Sequence, residues 1–136
     1  MSAAVAVIRT LVGLLFLLIG LNHFLHFFPM KPPEVPDRAA AFMGAMTSTR
    51  YLDFVKVLEV AGGAMLVSRL FVPLGLTILV PITVNIICWE IFLVGAPGIG
   101  CLLGVLEVFL IFGYFRFFGP LLTPFASPHN PIGLKD

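Results

Sequence analysis

The chain has 136 residues, of which 60% are hydrophobic and only 11% charged, against roughly 45 to 50% apolar and about 25% charged in an ordinary soluble domain; its mean hydropathy is +1.09. A soluble globule of about 150 residues buries only about 70% of what its unfolded chain exposes, so a soluble fold has nowhere to hide this much apolar surface and a lipid bilayer is the expected partner. The length suits one domain, and a formal net charge of +1 offers no case for a nucleic-acid partner, which needs a basic patch.

A membrane-spanning helix takes about 20 mainly apolar residues, and four stretches qualify: 7–28, 52–68, 71–94 and 101–119. The sequence therefore predicts an all-α fold, an integral membrane four-helix bundle of antiparallel up-down topology over residues 1–123, with a tail at 124–136. The first stretch opens like a secretory signal, with Arg9 and an apolar run. It is too long for one and has no small-residue cleavage site before Asn22 and His23, so it is expected to stay in the protein.

The loop at 29–51 opens with Pro29, Pro32, Pro33 and Pro36, which disfavour helix, and carries Lys31, Glu34, Asp37 and Arg38. Residues 38–47, RAAAFMGAMT, are good helix formers, compatible with either loop or a short interfacial helix before Arg50 and Tyr51. Only Ser68, Arg69 and Leu70 separate the second and third stretches, which dictates an antiparallel hairpin. GAPGIG at 95–100 joins the third and fourth. Beyond Pro120, further prolines at 124, 128 and 131 predict an extended tail. Cys88 and Cys101 belong to no CxxC pair or metal-ligand spacing and are expected as unpaired thiols rather than a disulfide. Arg9, Arg69, Arg116 and Lys135 on the face of the termini outnumber Lys31, Arg38 and Arg50 by one, which puts the termini in the cytoplasm.

Ionisable side chains in hydrocarbon cost about 2.5 to 3.5 kcal/mol each and mark function by default. Asn22, His23 and His26 fall late in the first helix, Lys56 and Glu59 early in the second, Asn85 and Glu90 late in the third, and Glu107 early in the fourth. Since the helices alternate in direction, these eight share one half of the membrane and form a candidate ligand-binding or proton-relay layer. Gly100, Gly104 and Glu107 follow i, i+4, i+7 spacing, and Glu59 shares a face with Gly62 and Gly63, so both carboxyls are expected to point inward. The plainer reading is a network that only fixes helix register. Against it stands the excess of three glutamates over one lysine, which favours proton exchange.

No metal site is expected, because His23 and His26 lack further ligands of matching kind. Trp89 and Tyr51 read as interfacial anchors. No nucleophile elbow, phosphate loop or dinucleotide fingerprint occurs, so no residue receives a catalytic role and turnover by the chain alone is not expected.

GLLFLLIGLNHF at 13–24, preceded by Arg9, then AFMGAM at 41–46 before Tyr51, VKVLEVAGGAMLV at 55–67 and PLGLTILVPITVNI at 73–86 resemble the DoxX family of small bacterial and archaeal membrane proteins. The likeness covers the first three helices and is most specific at Lys56, Glu59, Gly62 and Gly63; the fourth helix and tail match in hydropathy alone. It implies a four-helix bundle in the plasma (inner) membrane, close to respiratory redox chemistry. Relatives include a subunit associated with quinone-linked sulfur oxidation and membrane partners of oxidative-stress proteins. No catalytic assignment comes with it.

Two functions follow as expectations. In the first, the polar layer forms a pocket for a quinone-like amphiphile, with His23 or His26 donating to one carbonyl, Asn85 or Lys56 to the other, and Glu59 or Glu107 exchanging the proton. With no intrinsic cofactor, the electrons come from a partner redox protein. In the second, the chain is a scaffold or assembly subunit with a purely structural polar network, self-associating through Gly100 and Gly104. A transporter or channel is least favoured, since four helices make a narrow bundle and the other half of the membrane has few polar side chains.

Overall fold

The structure is a computed structural model and describes residues 2–125. Met1 and most of the expected extended tail, with Lys135, lie outside the described residues. Among the described residues every regular element is helical.

Helix α1, Ala3–Leu25, begins on Ser2, whose hydroxyl accepts from the Val5 N–H, and ends where His26 turns left-handed and returns its N–H to the Asn22 carbonyl. The run 38–47 is helical. Helix α2, Asp37–Ser48, starts directly after Pro36 with Asp37 in its first turn, where a carboxylate suits the positive end of the helix dipole. Helix α3, Tyr51–Ser68, follows within two residues. Arg69 and Phe71 both sit at positive φ, which lets the chain reverse in three residues into α4, Val72–Cys88.

From Trp89 to Val94 the helix widens into a π-helical stretch, so the apolar element runs unbroken from Val72 to Val94. Helix α5, Ile99–Gly113, does not continue to 119 as the apolar run suggests. It breaks at Tyr114 and the chain turns by 82° into α6, Phe115–Phe118, and a 3₁₀ turn, Gly119–Leu122. The cause is local: the Tyr114 N–H is shared between the carbonyls of Leu110 and Ile111, tightening the last turn, and Gly113 packs its bare Cα against Val5.

Helices α1, α3, α4 and α5 pack in a closed ring, each touching two others, around a core that includes Val12, Phe16, Leu66, Leu76, Leu79, Leu103 and Leu110. The α1–α3 crossing is a close one. A methyl group on Gly63 would lie 2.7 Å from both the carbonyl of Gly13 and the amide nitrogen of Leu17, so backbone meets backbone there. Among the described residues two helices are long and apolar enough to cross a membrane, Ala3–Leu25 and Val72–Val94, and a third if the bent α5–α6 pair counts as one. At 23 residues each of the first two is about 34 Å long. Helix α3 falls outside this group because Asp53, Lys56 and Glu59 all lie within its 18 residues.

Candidate functional site

Lys56 and Glu59 stand three residues apart on α3, a spacing that puts two side chains on adjoining parts of one helix face. The Lys56 ammonium donates to both carboxylate oxygens of Glu59, at 3.0 and 2.8 Å. Glu59 is 3% exposed. The pair forms part of the wall of a cavity of about 860 Å³, within the size range of about 300 to 1,000 Å³ usual for small-molecule sites. The remaining wall is almost wholly apolar, with Phe16 and Ile19 from α1, Leu52 and Val55 from α3, and Ile82 and Leu103 from α4 and α5.

Pro81 and Asn85 of α4 and Trp89 at the start of the π-helical stretch, each four residues after the last, border the same cavity. Pro81 has no N–H to give to the preceding turn, a local weakening of the helix at the cavity wall. Helix α2 covers the site: Phe42, Met43 and Met46 line it, while Arg38 Nε donates to the Leu93 carbonyl at 2.7 Å and Trp89 Nε1 to the Ala39 carbonyl at 3.5 Å. Trp89 is thus half-buried, holding α2 and lining the cavity, beyond the anchoring role its position suggested. Tyr51 also borders the cavity and is exposed.

The other candidates of the polar layer are placed elsewhere. The buried carboxylate of Glu90 accepts from the backbone N–H groups of Gly98, Gly100 and Cys101, at 3.0, 2.8 and 3.2 Å, and so caps the start of α5, where orphan donors are otherwise unsatisfied. Glu107, 1% exposed, accepts from the Thr83 hydroxyl at 2.9 Å and borders a separate cleft of about 490 Å³ between α4 and α5. The buried Asn22 side chain accepts from the Phe28 N–H at 2.9 Å and holds the chain leaving α1. His23 Nε2 donates to Asp53 Oδ1 at 2.7 Å, and Arg50 Nε reaches the other oxygen at 3.2 Å. His26 is exposed at the end of α1. None of these five lines the Lys56–Glu59 cavity, so the single layer divides into one cavity with Lys56, Glu59 and Asn85, a cleft with Glu107, and groups that secure helix ends.

Arg9 is the largest departure from the sequence reading, which counted it among charges at a membrane face. It is 1% exposed, its guanidinium donates to the Leu66 carbonyl in the last turn of α3 and to Thr10, and its Nε finds no partner among the described residues. A cation at the negative end of α3 is favourable. An arginine six residues inside an apolar helix was the available signal. Thr83, the partner of Glu107, had none. Gly100 and Gly104 face Ile86 and Ile87 of α4, so their small-residue surface is used within the chain. Both cysteines are free, and no group of three or more metal-ligating side chains occurs among the described residues.

Comparison of the chain with protein-family models, curated proteins and solved structures finds no match.

Proposed function

We propose that the chain is a multi-pass membrane protein of the DoxX kind, a four-helix bundle that binds a quinone or similar amphiphile in the Lys56–Glu59 cavity and serves as an accessory subunit of a redox system. The single observation that carries this reading is a large apolar cavity with one buried ion pair on its wall. The four-span topology draws on an inside-out distribution of polarity. Arg9, Asn22, Glu59, Thr83, Glu90 and Glu107 are buried, while Phe54 and Val57 of α3 and Leu102, Val105, Val108 and Phe112 of α5 are exposed. Exposed apolar surface on this scale calls for a non-aqueous neighbour, and a helix with charges can cross hydrocarbon when they face the bundle interior.

In this reading Lys56 and the Asn85 amide donate to the carbonyl oxygens of the bound ring, and Glu59 takes up or releases the proton. The histidines drop out as ligand donors, since neither reaches the cavity. Electrons come from a partner redox protein. The setting is the plasma (inner) membrane of a bacterium or archaeon, as the DoxX resemblance implies. Its orientation loses the margin on which cytoplasmic termini rested: with Arg9 buried, Arg69, Arg116 and Lys135 face Lys31, Arg38 and Arg50, three against three.

A scaffold function is the second reading, favoured by the capping roles of Arg9 and Glu90, which make much of the polar layer structural. Mild extraction from the native membrane, followed by mass spectrometry of proteins and lipophilic small molecules together, separates the two. The pocket reading expects a quinone that stays with wild type and is depleted from Lys56→Met. A stoichiometric protein partner with no retained lipophilic ligand overturns it in favour of the scaffold.

A further inference from the structure

We propose that the cavity selects its occupant by charge, accepting an uncharged head group that offers a hydrogen-bond acceptor and refusing anionic amphiphiles. This deepens the pocket reading and rests on it. Among the described residues that line the cavity Lys56 is the only base and Glu59 the only acid. Lys56 Nζ gives one hydrogen bond to each oxygen of Glu59, so the charges cancel within the pair and the ammonium keeps one N–H of three. The side chains are 17% and 4% exposed, which places them where unpaired charge is most costly.

A carbonyl, ester or quinone oxygen needs only the remaining N–H and disturbs nothing. A sulfonate, carboxylate or phosphate would instead compete with Glu59 for the one ammonium, setting two negative charges against one positive in an apolar wall. The need for such a filter is built into the fold. Phe54 of α3, 62% exposed, and Asn85 of α4, also exposed, both border the cavity, so its mouth opens sideways between these helices, toward the surface on which lipids lie. An anionic amphiphile that reaches the mouth meets the self-neutralised pair, which excludes its head group.

Trp89, the only tryptophan in the chain, stands on the cavity wall and reports occupancy. The full chain in neutral micelles is titrated with one dibrominated alkyl chain carrying either a methyl ester or a sulfonate, and saturable quenching of Trp89 is read. Wild type is expected to bind the ester at least about tenfold more tightly than the sulfonate. Glu59→Gln frees the Lys56 charge and is expected to raise sulfonate affinity about tenfold or more, while the neutral double variant Lys56→Gln/Glu59→Gln keeps the wild-type preference. Equal affinity of wild type for the two probes overturns charge selection and leaves the pocket standing. Absence of saturable quenching by both probes overturns the pocket reading and this inference with it.

Discussion

Lys56 Nζ lies 3.0 and 2.8 Å from the two carboxylate oxygens of Glu59, nearly a full helical turn further along α3, and among the described residues no charged side chain besides this pair lines the cavity. Removing one member should therefore cost far more than removing both. Lys56→Met leaves a buried carboxylate without its cation and is expected to destabilise the fold by about 3 kcal/mol. The double variant Lys56→Met/Glu59→Leu is expected to lie within about 1 kcal/mol of wild type. Reversible unfolding in mixed micelles, arranged as a double-mutant cycle, checks the difference.

Glu90 spends its carboxylate on three N–H groups at the start of α5. Glu90→Ala takes the acceptor from all three, of which Gly100 is buried, at about 1 to 3 kcal/mol for each donor that water cannot reach. Hydrogen exchange should quicken selectively at Gly98, Gly100 and Cys101, while amides in the middle of α1 stay protected. Uniform quickening along the chain would show that the carboxylate does something other than cap this helix.

Two glycines should respond oppositely to alanine. At Gly63 a methyl group meets the backbone of α1 at 2.7 Å, whereas at Gly44 it meets nothing within 4 Å. Gly63→Ala is expected to lose about 1 to 3 kcal/mol by forcing α1 away from α3. Gly44→Ala, in the exposed middle of α2, is expected to gain about 0.5 to 1 kcal/mol from helix propensity. Midpoints of thermal unfolding in detergent should move in these opposite directions.

Four crossings and two crossings place the same residues on different faces. With Cys88 and Cys101 replaced by alanine, single cysteines at Gly44, Leu70 and Ala96 can be labelled from one side of the membrane with an impermeant maleimide. If α3 crosses, Gly44→Cys and Ala96→Cys react from the same side and Leu70→Cys from the other. If only the two longest helices cross, Gly44→Cys and Ala96→Cys react from opposite sides.

The hydropathy runs made the main helices legible, because spans are written in contiguous apolar residues and need no knowledge of neighbours. Helix α2 was only half legible: the helix formers at 38–47 were visible, but the sequence left loop and short helix equally open and put Asp37 in the loop. The bend at Tyr114 was not legible, since it comes from a shared N–H and close packing on Val5, while the apolar run continues to Phe118 with Arg116 as its one charge. At the site, the order of polar residues along alternating helices suggested one shared layer, and the direction in which each faces was only partly readable. Lys56, Glu59 and Asn85 do share a cavity, but Glu107 turns to Thr83, Glu90 to the α5 terminus and His23 to Asp53. A common depth does not bring side chains together when each finds a partner on a nearer helix.

The most direct measurement is a titration of Trp89 fluorescence with a short-chain quinone in the purified protein, repeated with Val55→Phe, which fills the cavity from α3. Saturable quenching in wild type, abolished by Val55→Phe and weakened by Lys56→Met, is expected. Linear, non-saturating quenching that is the same in all three proteins would contradict a binding cavity at Lys56 and Glu59.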